Sequence, residues 1–431
     1  MTFRNGVDTA SVVGKNIPRS RMKRIGLLII LCYLFEIIDR INIGMAVPDI
    51  SKTFHVSPTI SGVLLSSFFW GYIVMMVPGG WIAQRYSAKW VILVAMGLWA
   101  IFAGLTGVMS SVSGLIVVRV LLGLAEGVVW PAFMILISRW FPANERARFA
   151  ALLLMMIPVS TIVMAPLAGW MIATWSWRMM FFLQAIPPLI LAIFVMIYLA
   201  DSPSKDKRLS HEERDYITAA VSLEPQNQRS VSIWQIIRAP QLWMLGLIFL
   251  FWNSGQYAFS LWLPTAMKDI SHQGIEVVGL LAAIPSIVGM VVMYANGRFS
   301  DRGGDRSFYV IWPLILAGLA LIASRLAMPA WVAVLVLSLA AAGLYSPFGP
   351  WWAWCVESVP IQYIGVALGL VDMIGNAGGI VGPPAVAMAA GGGSLVTGLY
   401  VLGIGVLLSA GLATYVGLSN RKKPVAVSTS G

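Results

Sequence analysis

The sequence predicts an all-α membrane protein with twelve transmembrane helices in two six-helix bundles. Of its 431 residues 58% are hydrophobic and only 11% are charged, whereas about a quarter of an average soluble domain is charged. Apolar stretches of about 20 residues, long enough to cross a bilayer, recur along the whole chain. The predicted spans are 25–47, 59–82, 89–109, 113–138, 148–172, 178–199, 241–263, 275–297, 307–327, 330–353, 364–390 and 394–418.

The basic residues are distributed as in a membrane protein with both termini in the cytoplasm. With that orientation, the cytoplasmic loops and tails hold 23 of the 29 Lys and Arg residues, the opposite side holds four, and Arg40 and Arg119 lie inside spans. This is the positive-inside pattern. The net charge of +11 therefore reports topology and contact with anionic lipid, and no nucleic-acid partner is expected.

One long polar segment divides the spans six and six. The predicted organisation is a cytoplasmic tail (1–24), a first bundle (25–199), a cytoplasmic linker (200–240), a second bundle (241–418) and a second tail (419–431). The middle of the linker has the composition of a short amphipathic surface helix. Its main role is expected to be the connection between the bundles.

The two halves also repeat. Aligning Gly80 with Gly297 gives an offset of 217, at which Arg85 meets Arg302 and Pro166 meets Pro383. Two six-helix halves related by a parallel repeat are typical of transporters, whose site lies between the halves near the membrane midplane.

Five ionisable residues interrupt the first and fourth spans. Glu36, Asp39 and Arg40 are spaced i, i+3, i+4 on one helix face, and Arg119 and Glu126 lie two turns apart on another. Such a side chain at the centre of a membrane helix costs roughly 2.5–3.5 kcal/mol even on lenient scales. It is retained where it lines a cavity, pairs with another charge, or moves ions.

Several motifs together resemble the major facilitator superfamily and, within it, the anion:cation symporter family. The resemblance covers nearly the whole chain, and no single motif would be specific. The motifs are Gly297-Arg-Phe-Ser-Asp301-Arg302 followed by Arg306, Arg119-x3-Gly123-x3-Gly127, Asp39-Arg40 with Asn42, Glu126-Gly127 before Trp130-Pro131, and the segment RWFPANERAR.

The resemblance and the residue chemistry assign roles to the charged residues. A guanidinium matches a carboxylate bidentately, so Arg40 is expected to bind the substrate carboxylate. Asp39 and Glu126 would carry protons, and Arg119 would couple them. The alternative is a structural ion-pair network that only joins the first span to the fourth.

Two acids depart from the family pattern. Glu36 is an additional acid one turn before Asp39; it either neutralises Arg40, takes part in proton coupling, or lies at the cytoplasmic mouth of the cavity. Asp372 stands where relatives carry Asn. It either accepts hydrogen bonds from substrate hydroxyls, binds a further proton, or is a buried carboxylic acid bonded within its own helix.

Further polar residues are predicted to contact the substrate. Gln256 is the repeat partner of Asp39 at the offset of 217, and Asn253 and Tyr257 flank it. Tyr72 and Asn376 match substrate-facing positions of the family. Interhelical packing is the alternative for these five. The cluster Trp351, Trp352 and Trp354 is either an interfacial belt or part of the cavity.

Charged residues in the short cytoplasmic loops are predicted to form a conformational latch, as the family resemblance implies. The alternative is that they only set topology. These residues are Arg85, Arg298, Asp301, Arg302 and Arg306.

The predicted function is proton-coupled uptake of a small organic anion by alternating access across a bacterial inner membrane. Sugar acids are favoured over aromatic acids because the polar residues offer partners for hydroxyls. The protein is expected to be a monomer whose partners are the anion, protons and membrane lipid, without cofactor or metal. It is not expected to be an enzyme, because no buried nucleophile–histidine or metal constellation occurs in the spans. An exchanger and a transporter-like sensor are the alternatives.

Overall fold

The computed structural model describes residues 20–222, 238–326, 328–359 and 364–421. These residues form helices, turns and loops, with no β-strand among them. The predicted all-α fold class is confirmed. Parts of the predicted tails and linker, namely residues 1–19, 223–237 and 422–431, lie outside the described residues.

Each predicted span has a helix, continuous or interrupted, at its position. The helices are α1 (Leu27–Ile41 and Ile43–Phe54), α2 (Pro58–Arg85), α3 (Ala88–Val108), α4 (Val112–Glu126 and Val129–Trp140), α5 (Ala143–Thr174), α6 (Trp177–Gln184 and Ile186–Tyr198), α7 (Pro240–Ser271), α8 (Ile275–Ser300), α9 (Phe308–Ala323), α10 (Ala330–Tyr345 and Phe348–Ser358), α11 (Ile364–Asn376 and Gly378–Ala390) and α12 (Leu395–Gly398 and Tyr400–Arg421). A π-helical turn, Met22–Gly26, precedes α1, and the linker contains the helix His211–Ser222.

Serine residues begin four of the helices in the first half. The side chains of Ser57, Ser87, Ser111 and Ser176 accept hydrogen bonds from the backbone N–H three residues later, at the starts of α2, α3, α4 and α6. Each bond satisfies one of the N–H groups that a helix leaves unpaired at its N-terminus. The serines therefore mark where the loops end and the spans begin.

Two of the spans are less apolar than the others. Among the described residues, nine helices are long and apolar enough to cross a membrane, and α9 is a shorter apolar helix. Helices α1 and α7 are not among these ten. The former carries Glu36, Asp39 and Arg40, and the latter carries Asn253, Gln256 and Tyr257. The two least apolar spans are thus one in each half of the bundle.

The outer surface of the bundle is apolar and has two belts of tryptophan. We call the face at which residues 20 and 421 lie the terminal face. Trp81, Trp90 and Trp243 are half or more exposed near the terminal face, and Trp170, Trp175 and Trp331 are equally exposed near the opposite face. Tryptophan at both ends of the spans is characteristic of the two membrane–water interfaces.

The two halves have equivalent packing. Helix α2 packs on α4 in the first half as α8 packs on α10 in the second. Between the halves, α5 packs on α8 and α2 packs on α11. Under the repeat, α5 corresponds to α11 and α8 corresponds to α2. Each of these two inter-half pairs is therefore equivalent to the other, as a pseudo-two-fold axis requires. Helices α1 and α7, which exchange under the same operation, also contact each other.

Glycine allows the halves to approach closely on the side away from the terminal face. A Cβ added at Gly44 of α1 would lie 2.4 Å from the Leu261 carbonyl oxygen of α7. One added at Gly279 of α8 would lie 2.3 Å from the Ala165 carbonyl oxygen of α5. Backbone therefore packs directly on backbone there. We call these contacts the far-side seal.

Near the terminal face, a buried ion cluster joins three separate segments of the first half and linker. The Arg21 guanidinium is 2% exposed and binds Glu213 of the linker helix at 2.8 Å and Glu145 at the start of α5 at 2.6 Å. We call these three residues the terminal clamp. Burial lowers the pKa of Arg21, but the hydrogen bonds with Glu145 and Glu213 outweigh it, so its pKa is raised and the guanidinium stays charged.

Candidate functional site

A small cavity lies between the two halves. Its volume is about 60 Å³, which is room for a few water molecules. All seven predicted substrate contacts line it: Arg40, Tyr72, Asn253, Gln256, Tyr257, Asp372 and Asn376.

Arg40 is the cation of the cavity wall. Its Nη2 donates to Glu36 Oε1 at 2.7 Å, and its Nη1 makes a long contact of 3.4 Å with the Tyr257 hydroxyl. The guanidinium carbon lies 4.4 Å from the centre of the Tyr72 ring and 5.4 Å from that of Phe68. Aromatic faces stabilise a cation in this position. The guanidinium is therefore fixed in place while part of it remains directed into the cavity.

A chain of hydrogen bonds runs from Arg40 across the cavity to α11. The Tyr257 hydroxyl donates to Asn376 Oδ1 at 2.7 Å, and Asn376 Nδ2 donates to Asp372 Oδ1 at 3.1 Å. The Trp130 indole lies beside the same carboxyl. This chain links α1, α7 and α11, and so joins the two halves through the site.

The other polar residues of α7 have different partners. Gln256 donates to the Ser260 hydroxyl at 3.2 Å, and that hydroxyl also contacts the Tyr345 hydroxyl at 3.0 Å. No partner for Asn253 Oδ1 occurs among the described residues. Asn253 therefore lines the cavity with a buried, unbonded amide oxygen, whereas the Gln256 amide is held by Ser260 on its own helix.

Arg119 lies behind the cavity and does not bond a carboxylate directly. Its Nη1 and Nη2 donate to the backbone carbonyl oxygens of Asp39 and Arg40, at 3.2 and 3.1 Å. These carbonyls precede the interruption of α1 at Asn42. Arg119 thus fixes the backbone that carries Asp39 and Arg40, and its charge lies within reach of both acids behind the cavity.

Asp39 and Glu126 are fully buried acids. Asp39 Oδ1 accepts a hydrogen bond from Asn42 at 2.9 Å, and Asn42 also bonds Gln184 of α6. In the described ranges neither Glu126 oxygen nor Asp39 Oδ2 has a partner within 3.5 Å, although the Trp99 indole and the Glu126 carboxyl lie beside Asp39. Buried carboxyl oxygens without partners are costly if charged, so these groups are suited to gaining and losing protons.

The glycines of the Arg119-x3-Gly123-x3-Gly127 motif explain how the acids reach this position. A Cβ at Gly123 would lie 2.0 Å from the Phe68 carbonyl oxygen, and one at Gly127 would lie 2.4 Å from that of Tyr72. Helix α4 can therefore lie directly against α2. This packing brings Arg119 and Glu126 to the back of the α1 and α2 residues that form the cavity.

The predicted latch residues lie outside the cavity, near the terminal face. Arg306 binds Glu357 at 2.5 Å and Asp301 at 3.3 Å, which joins the α8–α9 loop to the end of α10. Arg298 donates to the Tyr294 hydroxyl at 3.4 Å, and Arg85 lies over the Trp81 ring. Arg302 is exposed. These contacts stay within one half, and a latch between helices that separates as the cavity opens remains a prediction.

Sequence reasoning missed a set of cavity residues and left one cluster ambiguous. Trp352 lines the cavity, whereas Trp351 and Trp354 are buried in the core.

Tyr33 and Ile37 lie seven and three residues before Arg40, so helical spacing would have found them. The remaining missed residues are Ile41, Trp130, Leu154, Ile157, Thr161, Phe249, Ser260 and Phe348. Most are apolar residues in apolar helices, where nothing in the sequence separates a cavity wall from a lipid-facing or packed position.

Six ionisable side chains lie in the interior of the described spans. Four are carboxyls and two are guanidiniums, a difference of two negative charges when all are ionised: Glu36, Asp39, Glu126 and Asp372 against Arg40 and Arg119. No group of three or more His, Cys, Asp or Glu side chains in the part of the chain that the structure describes has the arrangement of a metal site.

Comparison with known proteins gives a consistent result. Residues 29–383 match the Major Facilitator Superfamily. A putative tartrate transporter of Agrobacterium vitis is 30% identical over 417 residues, covering 94% of this chain and 92% of the relative. A probable galactarate/D-glucarate transporter, GudP, of Escherichia coli is 25% identical, covering 86% and 88%. The inward-facing, occupied structure of a bacterial homologue of the human lysosomal transporter Spinster superposes with a TM-score of 0.75 at 16% identity, covering 95% of this chain and all of that one.

Proposed function

The chain belongs to the major facilitator superfamily, and from this premise we propose that it carries a small organic anion across the membrane together with protons. Relatives of this chain are named as transporters of tartrate, galactarate and D-glucarate, and organic-acid transport is their common feature. A hydroxylated carboxylic acid is the favoured substrate. The supporting arguments are the charge balance, the geometry of Arg40 and the packing of the two halves.

The charge balance of the buried residues is the observation that carries the proposal. With four carboxyls against two guanidiniums, an incoming anion meets an excess of negative charge if every acid is ionised. Like charges in a low-dielectric interior repel strongly. Each proton bound by one of the acids removes one negative charge, so anion binding and proton binding favour each other.

Arg40 is the proposed contact for the substrate carboxylate. Its Nη1 has only the long 3.4 Å contact with Tyr257, and its Nε has no partner among the described residues. A carboxylate entering the cavity can replace the Tyr257 contact with a shorter, charge-assisted one. The aromatic rings beneath the guanidinium keep it in position for this exchange.

Glu36, Asp39 and Glu126 are the proposed proton carriers, coupled through Arg40 and Arg119. Glu36 neutralises Arg40 directly at 2.7 Å, so a proton on Glu36 releases the guanidinium for the substrate. Asp39 and Glu126 lie behind it, and the Arg119 charge acts on both of them. A proton moving among these acids changes the net charge that the substrate meets.

Alternating access is supported by the way in which the halves meet. The far-side seal consists of backbone contacts at Gly44 and Gly279, which separate as rigid surfaces without unfolding a helix. Helices α1, α4, α10 and α11 are interrupted near the level of the site, and such interruptions are tolerated where they line a cavity. We propose that the halves rock about the cavity and open each face in turn.

The proposed setting is a bacterial inner membrane, with the terminal face in the cytoplasm and the protein acting as a monomer. The excess of Lys and Arg on the loops of the terminal face supports this orientation. In this orientation the far-side seal closes the periplasmic side. The latch residues then lie on the cytoplasmic side, where opening toward the cell interior would require the loops to move.

An aromatic carboxylate is the second candidate substrate, and one observation favours it. Seven aromatic side chains line the cavity, and their faces are suited to stacking on a planar ring. The residues are Tyr33, Tyr72, Trp130, Phe249, Tyr257, Phe348 and Trp352. An aromatic acid would use the same Arg40 contact but would leave the Asp372–Asn376 pair without a hydroxyl partner.

Uptake by proteoliposomes tests the proposal. Purified protein is reconstituted, and uptake of labelled gluconate, threonate and benzoate is measured with the outside acidic, with equal pH, and with a protonophore. We expect uptake of a hydroxylated acid to be accelerated by external acid and to lose this acceleration with the protonophore. Uptake that depends only on preloaded counter-substrate would identify an exchanger, and uptake of benzoate alone would favour the second candidate.

A further inference from the structure

The cavity wall carries an acid opposite its only cation. Among the described residues that line the cavity, Arg40 is the only cation and Asp372 the only carboxylate. We propose that Asp372 is a specificity-determining residue that selects acids with one carboxylate and a hydroxylated far end over acids with a carboxylate at both ends. This inference rests on the proposed function and narrows its substrate class.

The position of Asp372 is fixed relative to Arg40. Tyr257 and Asn376 connect the two through contacts of 3.4, 2.7 and 3.1 Å. Asn376 Nδ2 also donates to the backbone carbonyl of Asp372 at 2.9 Å, one turn earlier on α11. The carboxyl is thus held by its own helix and by α7 and cannot withdraw from the cavity without breaking this chain.

The cavity lining places Asp372 within reach of a substrate that is bound to Arg40. The two residues line the same cavity, and in the described part of the chain only the side chains of Tyr257 and Asn376 connect them. A linear acid of four to six carbons whose carboxylate binds Arg40 can therefore extend its other end along this chain toward Asp372. The polar wall determines what that end can be.

The two kinds of far end interact oppositely with an ionised Asp372: a hydroxyl is attracted to its carboxylate and a second carboxylate is repelled by it. A hydroxyl donates a hydrogen bond to a carboxylate, and a bond to a charged acceptor is stronger than a neutral one. A second carboxylate has no proton to donate and repels Asp372 in a desolvated site. An unfavourable charge placed against the wrong ligand is an effective source of specificity.

Matched pairs of acids test the proposal. Gluconate and glucarate share one six-carbon chain, and threonate and tartrate share one four-carbon chain; within each pair only the far end changes from hydroxymethyl to carboxylate. Dissociation constants are measured at neutral pH with the purified full chain in detergent. We expect the monoanion of each pair to bind at least about tenfold more tightly than the dianion.

Asp372→Asn and Glu36→Gln separate the local effect from general electrostatics. Both remove one negative charge near the site. In Asp372→Asn the ratio of the two constants should fall to within about threefold of one, because the amide can donate to a second carboxylate. In Glu36→Gln both constants should change while the ratio stays above tenfold. The ratio does not depend on the fraction of protein that is folded.

The outcomes are distinguishable. Equal binding of both members of each pair by the wild-type chain would overturn the role of Asp372, as would a ratio that Asp372→Asn leaves unchanged. In either case the proposed function would stand. If none of the four acids bound the wild-type chain up to about 10 mM, where even weak ligands are detected, the proposal of a hydroxylated acid as substrate would fail and the inference with it.

Discussion

Arg40 can bind either of two anions: Glu36, one turn earlier on α1, or the carboxylate of a substrate in the cavity. The bond to Glu36 is 2.7 Å long and both side chains are buried, so neither is screened by water. A buried pair of this kind adds little to stability compared with apolar packing. Its presence in a span is therefore better explained by exchange of partners than by a contribution to folding.

Replacing Arg40 tests its role as the anion contact. Arg40→Ala should abolish binding of the tightest hydroxy acid, and Arg40→Lys should weaken it by at least about tenfold, because an ammonium cannot bind a carboxylate bidentately. Binding is measured by calorimetry or thermal shift on purified protein.

Arg325→Lys is the matched control for this prediction. Arg325 lies after α9 over the Tyr400 ring and outside the cavity, so binding should be unchanged. Wild-type affinity in Arg40→Lys would remove Arg40 from the site.

Glu36→Gln tests whether a proton on Glu36 releases Arg40. The neutral amide imitates the protonated acid, so the variant should bind the anion more tightly than wild type at neutral pH. Wild-type affinity should fall as pH rises and Glu36 loses its proton, and the variant should show a flatter dependence. The measurement is the dissociation constant of both proteins between about pH 5 and 8, where buried carboxyls can titrate. A parallel pH dependence in both proteins would assign the coupling to the other acids.

At this scale, helical spacing, the repeat and the family resemblance together named seven residues that line the cavity. The offset of 217 relates Arg40 to Tyr257, and the two side chains meet at 3.4 Å. The sequence could not predict that Arg119 would bond backbone carbonyls at 3.2 and 3.1 Å, because those carbonyls are exposed only where α1 is interrupted. Nor could it distinguish Trp352 in the cavity from Trp351 in the core, since both lie in one apolar run.

Among the helices, glycine determines which pairs can come close enough to close a face. The far-side seal depends on Gly44 and Gly279, where a side chain would collide with backbone. The packing of α4 on α2 depends in the same way on Gly123 and Gly127. In the former case the contact joins the two halves, and the proposed alternating access requires it to open. In the latter case the contact lies within one half and is expected to stay closed.

Gly279→Val should favour the state in which the far side is open. The added Cβ would lie 2.3 Å from the Ala165 carbonyl oxygen, and backbone cannot move aside as a flexible side chain can. The readout is labelling of Ser260→Cys by an impermeant maleimide added from the far side, with Cys32→Ala and Cys355→Ala removing the native thiols. Labelling should be several-fold faster than without the valine.

Gly411→Val is the control, because no atom lies within 4 Å of a Cβ at that exposed position of α12. Its labelling rate should match that of the parent protein. Equal labelling in Gly279→Val would show that the seal does not determine access.

The terminal clamp gives a prediction about stability. Glu213→Gln leaves the buried Arg21, which is 2% exposed, with one carboxylate fewer. Arg21 keeps its pair with Glu145, and loss of one hydrogen bond to a charged group costs roughly 1.5–3 kcal/mol, so the Tm in detergent should fall by several degrees. Glu212→Gln changes the neighbouring, exposed residue of the same helix and should leave the Tm unchanged. Equal Tm values for the two variants would contradict the role of the clamp.

Over the whole molecule, the fold was more predictable than its internal contacts. Hydrophobic spans of bilayer length leave little choice but helices, and every predicted span has a helix at its position. The amphipathic stretch of the linker is also helical, as His211–Ser222. The clamp that binds this helix was not predicted, because it joins residues 21, 145 and 213, whose proximity depends on how the first bundle packs.

The pseudo-two-fold arrangement also separates the two tasks proposed for the molecule. The first half supplies five of the six ionisable residues of the spans, and the second supplies Asp372 and neutral amides. The proposed proton carriers are thus concentrated in one half, and the proposed contact for the far end of the substrate lies in the other. Because the cavity lies between them, bound substrate and bound protons both affect how closely the halves approach.

Direct measurement of proton movement tests the central claim, that anion entry is coupled to protons carried by buried acids. Proteoliposomes with an entrapped pH indicator receive the tightest-binding hydroxy acid with no imposed pH gradient, and membrane potential is clamped with potassium and valinomycin. Anion uptake should acidify the lumen in the wild type. Glu126→Gln should still exchange labelled for unlabelled anion without acidification, because exchange needs binding but no net proton transfer. Anion uptake by the wild type at constant lumenal pH would contradict the account.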